Sequence, residues 1–162
     1  MTKGMLYGLG VGPGDPELLT LKAARLLKEC DVVAVPDKGK GGKTALNIVR
    51  EQVADKELLF CPTPMLRDMK KLEESYDQAA ADICALLDRG KTVCFITLGA
   101  PTISSTYVYV HRRVAARGHP AEMVPGVPSF FAAAARPDLP LCERDVRLLL
   151  LPARPDPSSC VD

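Results

Sequence analysis

The sequence predicts an α/β protein, with a five-stranded, largely parallel sheet flanked by helices, and three features carry that prediction. Short apolar runs recur along the chain, with the length and composition of strands buried on both faces. Between them lie stretches with apolar residues at three-to-four spacing, as helices that cover a sheet require. Several of the apolar runs end in glycine-proline loops directly before a helix start. Strands alternating with helices imply parallel pairing and right-handed crossovers.

In chain order, Met5 to Val11 alternates apolar residues with glycine and runs into the loop Gly12 to Asp15, GPGD. Asp15 as N-cap, Pro16 at the first helical position and Glu17 behind it predict a helix start, because acids suit the positive end of the helix dipole. Leu18, Leu21, Leu26 and Leu27, with Ala23 and Ala24, form its expected buried side. A second strand spans Asp31 to Val35 and stops at Pro36. The basic segment KGKGGK from Lys38 reads as a solvated connection, since no G-x-x-x-x-G-K-[ST] phosphate motif is present. Ala45, Ile48 and Val49 mark a short helix, and Glu57 to Cys61 a third strand.

Arg67 to Arg89 reads as a long amphipathic helix with Met69, Leu72, Tyr76, Ala80, Ile83 and Leu87 toward the core, ended by Gly90. The central strand follows with Val93, Phe95, Ile96 and Leu98, and Gly99 and Pro101 stop it. Hydroxyls of Thr102, Ser104, Ser105 and Thr106 are then available to cap a helix from Ser105 to Arg117. Ala121 to Val124 forms the fifth strand and enters the loop Pro125 to Ala135, where Ser129 can cap a short helix. Beyond it come the proline-rich linker RPDLPL from Arg136, one more strand at Arg147 to Leu151, and a disordered tail from Pro152 with three prolines.

A chain of 162 residues suffices for one domain with an appendage. A net charge of +1 gives no footprint for nucleic acid or an anionic membrane, and 25% charged with 47% apolar residues is ordinary globular composition. No apolar run approaches the roughly 20 residues of a membrane span. The N-terminus lacks the regions of a signal peptide, so a cytoplasmic location is expected. The six cysteines, Cys30, Cys61, Cys84, Cys94, Cys142 and Cys160, form no C-x-x-C pair and read as reduced packing residues. His111 and His119 lack partners at metal-ligand spacing, and no metal is expected.

The glycine-rich first loop invites a dinucleotide reading, but G-x-G-x-x-G fails from Gly8, Gly10 and Gly12, whose final positions are Pro13, Asp15 and Glu17. An acid at the helix start would also repel a pyrophosphate. Three loops are more informative: Gly12 to Asp15, Leu98 to Thr102 and Pro125 to Ser129 each follow a strand and end near a helix start. In a parallel sheet all three open on one edge, where their backbone groups can converge on a ligand. With no histidine, cysteine or carboxylate pair among them, positioning is expected rather than acid-base chemistry.

Three runs, YGLGVGPGDPELLTLKAARLL from Tyr7, TLGAPTISSTYVYVHRRV from Thr97 and VPGVPSFFAAAA from Val124, closely resemble the tetrapyrrole methylases. Within that family the chain is most similar to the precorrin-2 (cobalt-factor II) C20-methyltransferase branch of cobalamin biosynthesis, through the run STYVYV and through Pro36, where uroporphyrinogen III methylases commonly carry aspartate. The resemblance implies a parallel-sheet N-terminal domain over residues 1–136. Residues 137–162 would hold a linker, the start of a C-terminal domain that is mostly missing, and the tail. It further implies S-adenosylmethionine as methyl donor, a tetrapyrrole substrate, a homodimer, and cofactor contacts at Pro13, Gly99, Ala100, Ile103, Pro128 and Ser129.

Two positions depart from the family pattern: Ala100 stands where the central loop usually has aspartate, and Ser104 where this branch has tyrosine. The resemblance identifies no catalytic base, and restoring aspartate at Ala100 is expected to strengthen cofactor binding. Two other readings stay open at this point, an inactive or partner-dependent remnant of such an enzyme and an unrelated nucleotide-binding module.

Overall fold

The computed structural model describes residues 4–38, 43–64 and 68–150. It divides into two compact units, the first reaching Ser129 and the second beginning at Phe130.

The first unit contains five strands, β1 (Leu6–Gly10), β2 (Val32–Asp37), β3 (Glu57–Pro62), β4 (Val93–Thr97) and β5 (Ala121–Val124), and helices α1 (Leu21–Glu29), α2 (Thr44–Ile48), α3 (Met69–Asp88) and α4 (Tyr107–Ala116). All strand pairs are parallel, in the order β3-β2-β4-β1-β5. Because side chains alternate along a strand, each strand feeds two cores. Leu6, Val32, Ala34, Val93 and Phe95 pack with Ile83 and Leu87 of α3 and with Tyr107, Val110 and Val114 of α4. Leu9, Val33, Val35, Cys94 and Ile96 pack with Leu26 and Leu27 of α1 and with Ala45 and Ile48 of α2. The sheet is therefore covered on both faces, and the full burial of all five β4 residues follows from its central place.

The expected helix after the first loop is broken in two. Asp15 does cap, accepting from the Glu17 N–H at 2.9 Å, but what it starts is only a 3-10 turn, Pro16–Leu18. Thr20 then stands in extended conformation and caps α1 by accepting from the Ala23 N–H at 3.2 Å. A second strong cap five residues after the first resets the helix phase, which leaves Leu21 91% exposed instead of buried. Met69 departs likewise: it is the first residue of α3 and is exposed, while Tyr76, Ala80, Ile83 and Leu87 of the same stripe are buried. Asp68 caps that helix, and the expected start at Arg67 lies outside the described residues. Pro36 does not end β2, which continues beside β3 to Asp37.

The second unit holds most of α5 (Ser129–Ala135), followed by turns and irregular chain as far as Leu150. Ser129 is the first residue inside α5. The strand expected at Arg147 to Leu151 is not formed by Arg147 to Leu150, whose leucines are exposed; Leu151 and the tail from Pro152 lie outside the described residues. A single apolar segment with no neighbour for its N–H and C=O groups gains no ladder, and the amino-acid pattern alone cannot supply one.

Candidate functional site

The C-terminal edge of the sheet brings the three glycine-proline loops together, because β4, β1 and β5 are adjacent. The first two loops join directly: the Gly99 N–H donates to the Gly12 carbonyl at 2.8 Å and the Gly12 N–H to the Gly99 carbonyl at 3.3 Å. The Val11 N–H donates to the Thr97 carbonyl at 3.0 Å and extends the β1–β4 ladder into the loops. The third loop is pressed onto the other two. A Cβ at Gly10 would lie 2.5 Å from the Gly99 oxygen and 2.6 Å from the Gly126 nitrogen, and one at Gly126 would overlap the same oxygen. Three backbones thus meet where only glycine fits, and Gly99 also requires its positive φ of 68°.

Of the residues expected to contact a cofactor, this seam gathers Gly99, Pro128 and Ser129, whose backbone atoms lie within 4 Å of the Cβ position of Gly99. Pro13 is half-buried in the first loop, beside Gly12. Ala100 is 5% exposed and Ile103 36%, and the Ile103 N–H donates to the Ala100 carbonyl at 3.3 Å. An aspartate at Ala100 would therefore enter a closely packed turn.

One strand further along the edge the chain opens. β2 pairs with β4 only as far as Ala34 opposite Phe95, while it stays with β3 to Asp37. The connection leaving β2 leads to β3 at one edge of the sheet, and that leaving β4 leads to β5 at the other. Divergence of this kind creates the crevice in which open α/β sheets hold ligands. A cavity of about 260 Å³ lies there, lined by Pro36 and Lys38 after β2, Thr44 and Ala45 of α2, and Thr97, Leu98 and Ile103 to Thr106 around the central loop. Leu98, 44% exposed, and Ile103 give it an apolar rim.

Hydroxyls fix the floor of this crevice. Thr97, 8% exposed, shares a 2.8 Å hydrogen bond with Ser105, whose oxygen also accepts from the Tyr107 N–H at 3.2 Å. Ser105 rather than Thr106 therefore serves the start of α4, since Thr106 makes no side-chain cap bond. Tyr107 is fully buried, and its ring occupies the space that a side chain on Gly8 would need. Its hydroxyl lies 3.0 Å from His111 Nδ1 and 3.5 Å from the Glu122 carbonyl, and burial pushes it well above the ordinary tyrosine range. Burial, with Arg112 adding, holds the His111 imidazole below its ordinary value.

The sequence reading found the loops but missed Gly10, Gly126, the Thr97–Ser105 pair and the structural role of Tyr107. The GVG and PGVP runs were visible signals for the glycines, although nothing local gave their mutual contact. Among the described residues no group of three potential metal ligands occurs, and no helix is long and apolar enough to cross a membrane.

Comparison with known proteins agrees with the resemblance. The probable cobalt-precorrin-2 C(20)-methyltransferase of Methanocaldococcus jannaschii is 40% identical over 97% of this chain and 67% of its own length. The cobalt-precorrin-2 C(20)-methyltransferase of Salmonella typhimurium is 42% identical over 85% and 59%. Among solved structures, uroporphyrin-III C-methyl transferase from Thermus thermophilus, complexed with S-adenyl homocysteine, superposes with a TM-score of 0.61 at 29% identity, covering 88% of this chain and 55% of that one. The chain thus spans roughly 55 to 67% of the length of these proteins. The family model of the tetrapyrrole (corrin/porphyrin) methylases matches residues 5–159, and with three converging loops on a five-stranded parallel sheet, the chain belongs to that family.

Proposed function

We propose that this chain forms the cofactor-binding part of an S-adenosylmethionine-dependent methyltransferase acting on C20 of precorrin-2 or cobalt-factor II in cobalamin biosynthesis, in the cytoplasm. The observation that carries the reading is the convergence of the loops at Gly12, Gly99 and Gly126. Residues 1–136 form the N-terminal domain in this reading, and 137–162 the linker, the start of a second domain and the tail; the working assembly is a homodimer.

The residues present suit a methyl donor with a flat aromatic ring system and a charged tail. Leu98 and Ile103 offer exposed apolar surface at the rim, and the loops offer backbone groups, while Ala100 leaves the central turn without a carboxylate that would favour the donor's positive sulfur. Pro13, Gly99, Ala100, Ile103, Pro128 and Ser129 would hold the donor. When bound, it supplies a methyl group on a positively charged sulfur, open to in-line attack by a macrocycle carbon. The chain's own contribution is alignment and exclusion of water, which require a rigid frame more than a proton-transfer group. The seam and the Thr97–Ser105 bond supply such rigidity.

Calorimetric titration with S-adenosylhomocysteine tests the reading. Saturable heat at micromolar ligand is expected, and none at millimolar ligand would overturn it. One observation favours a second reading, in which activity needs a further polypeptide: Leu139, Val146, Leu148, Leu149 and Leu150 are each at least 46% exposed. Light scattering coupled to size exclusion separates the two, since a well-folded homodimer of this chain that methylates precorrin-2 with no other polypeptide present would exclude dependence on a further partner.

A further inference from the structure

Beside the crevice, a shallower groove of about 450 Å³ runs down the outer side of α4, lined by Ser104 to Thr106 and then Val108, Tyr109 and Arg112. Crevice and groove share the ridge Ser104 to Thr106 as a common wall and lie on either side of it. Each side holds an exposed cation, Lys38 in the crevice and Arg112 in the groove. Neither forms an ion pair or hydrogen bond among the described residues. Their neighbours contrast with them: Arg113 is held by Glu73 and Asp77, and Lys43 sits 4.2 Å over the Phe60 ring. Between the cations lie hydroxyls and one aromatic surface. The Tyr109 ring is stacked on Tyr76 at 5.0 Å and 7°, which fixes one face, while the residue stays 44% exposed in the groove.

A pair of separated, unpaired cations with a held aromatic face and hydrogen-bonding hydroxyls between them suits a flat ring with carboxylates on opposite edges. The geometry points to Lys38 and Arg112 as the anchors for peripheral carboxylates of a macrocycle lying across the Ser104–Thr106 ridge, with the free face of Tyr109 against its ring. This inference rests on the proposed tetrapyrrole chemistry and adds the residues that would select a polycarboxylate ring. Val108 and Arg112, four residues apart, share one stripe of α4, and both line the groove, with Arg112 exposed.

The test uses the full chain and two water-soluble porphyrins, uroporphyrin, which carries acetate and propionate groups, and a tetra(N-methylpyridyl)porphyrin, which carries cations. Binding is read from the shift of the porphyrin absorption band. Uroporphyrin is expected to bind, more weakly as salt rises, and the cationic porphyrin not to bind. Lys38→Met and Arg112→Met should each weaken uroporphyrin roughly fivefold, the double variant by about the product, and Tyr109→Ala should weaken it too. Both cation positions are exposed, and circular dichroism of each variant should match the parent. No binding of uroporphyrin by the parent, equal binding of both porphyrins, or parent-like affinity in both single variants would overturn the inference. Titration of the same variants with S-adenosylhomocysteine keeps the two readings distinguishable: unchanged cofactor heat with unchanged uroporphyrin affinity removes the anchors alone, and absent cofactor heat removes the parent reading alone.

Discussion

The two halves of the sheet's C-terminal edge are built in opposite ways. Over β4, β1 and β5 three loops close on one another backbone to backbone, with no room for a side chain at Gly10 or Gly126 and a positive φ at Gly12 and Gly99. Over β2 and β4 the strands part after Ala34, and side-chain hydroxyls line an open crevice. The closed half is fixed by main-chain sterics, so its sequence tolerates little change. In the open half only a few polar contacts hold the wall, and the remaining side chains are free to meet a ligand. Tyr107 connects the two, with its ring over Gly8 of β1 and its N–H on Ser105 at the crevice.

The largest effect should come from the closed half. Gly126→Ala drives a methyl into the Gly99 carbonyl and the Gly10 backbone, none of which can rotate away. A loss of about 3 kcal/mol is expected, at the upper end for overpacking, and urea denaturation measures it. A variant as stable as the parent would mean that the loops are not in contact in solution. Next comes Thr97→Val in the open half. It preserves shape but removes the hydrogen bond to Ser105, and a loss of about 1 kcal/mol is expected because Ser105 is only half-buried and can turn to water. If Thr97→Val costs as much as Gly126→Ala, the contrast between the halves fails.

The fold was largely legible because strand and helix patterns are local. The run from Val93 to Thr97 announces a central strand by its composition alone, and Tyr76, Ala80, Ile83 and Leu87 announce the buried face of α3. Competition between local signals was harder to read: Asp15 and Thr20 are both good caps, and only the structure shows that the second one starts α1. Thr20→Ala should therefore cost about 1 kcal/mol, against no more than about 0.5 kcal/mol for Leu21→Gln at its exposed position, as thermal melts would show. The reverse order would restore the helix phase expected from sequence. At the site, the three loops were legible and their contact was not, because it depends on β1 lying between β4 and β5. The crevice depends on connections that diverge from β2 and β4, a property of topology that no residue pattern encodes. The strand expected near Arg147 failed for a related reason, since a strand pattern carries no information about whether a partner strand is present.

The smallest expected effect tests the link between the halves. His111 Nδ1 faces the Tyr107 hydroxyl, and burial together with Arg112 lowers its pKa from the ordinary 6.5. Below that value the unfolded chain takes up a proton that the folded chain resists, so the unfolded state binds more protons and stability falls as the pH is lowered. The fall begins near the ordinary value and levels off once the pH is below the folded one. His111→Gln removes this dependence while leaving an acceptor for Tyr107. Between about pH 8 and about pH 5 the parent's melting temperature should drop further than the variant's, by a difference on the order of 1 °C. Parallel curves would show that burial and Arg112 do not hold the His111 imidazole beside Tyr107 below its ordinary pKa in the folded chain.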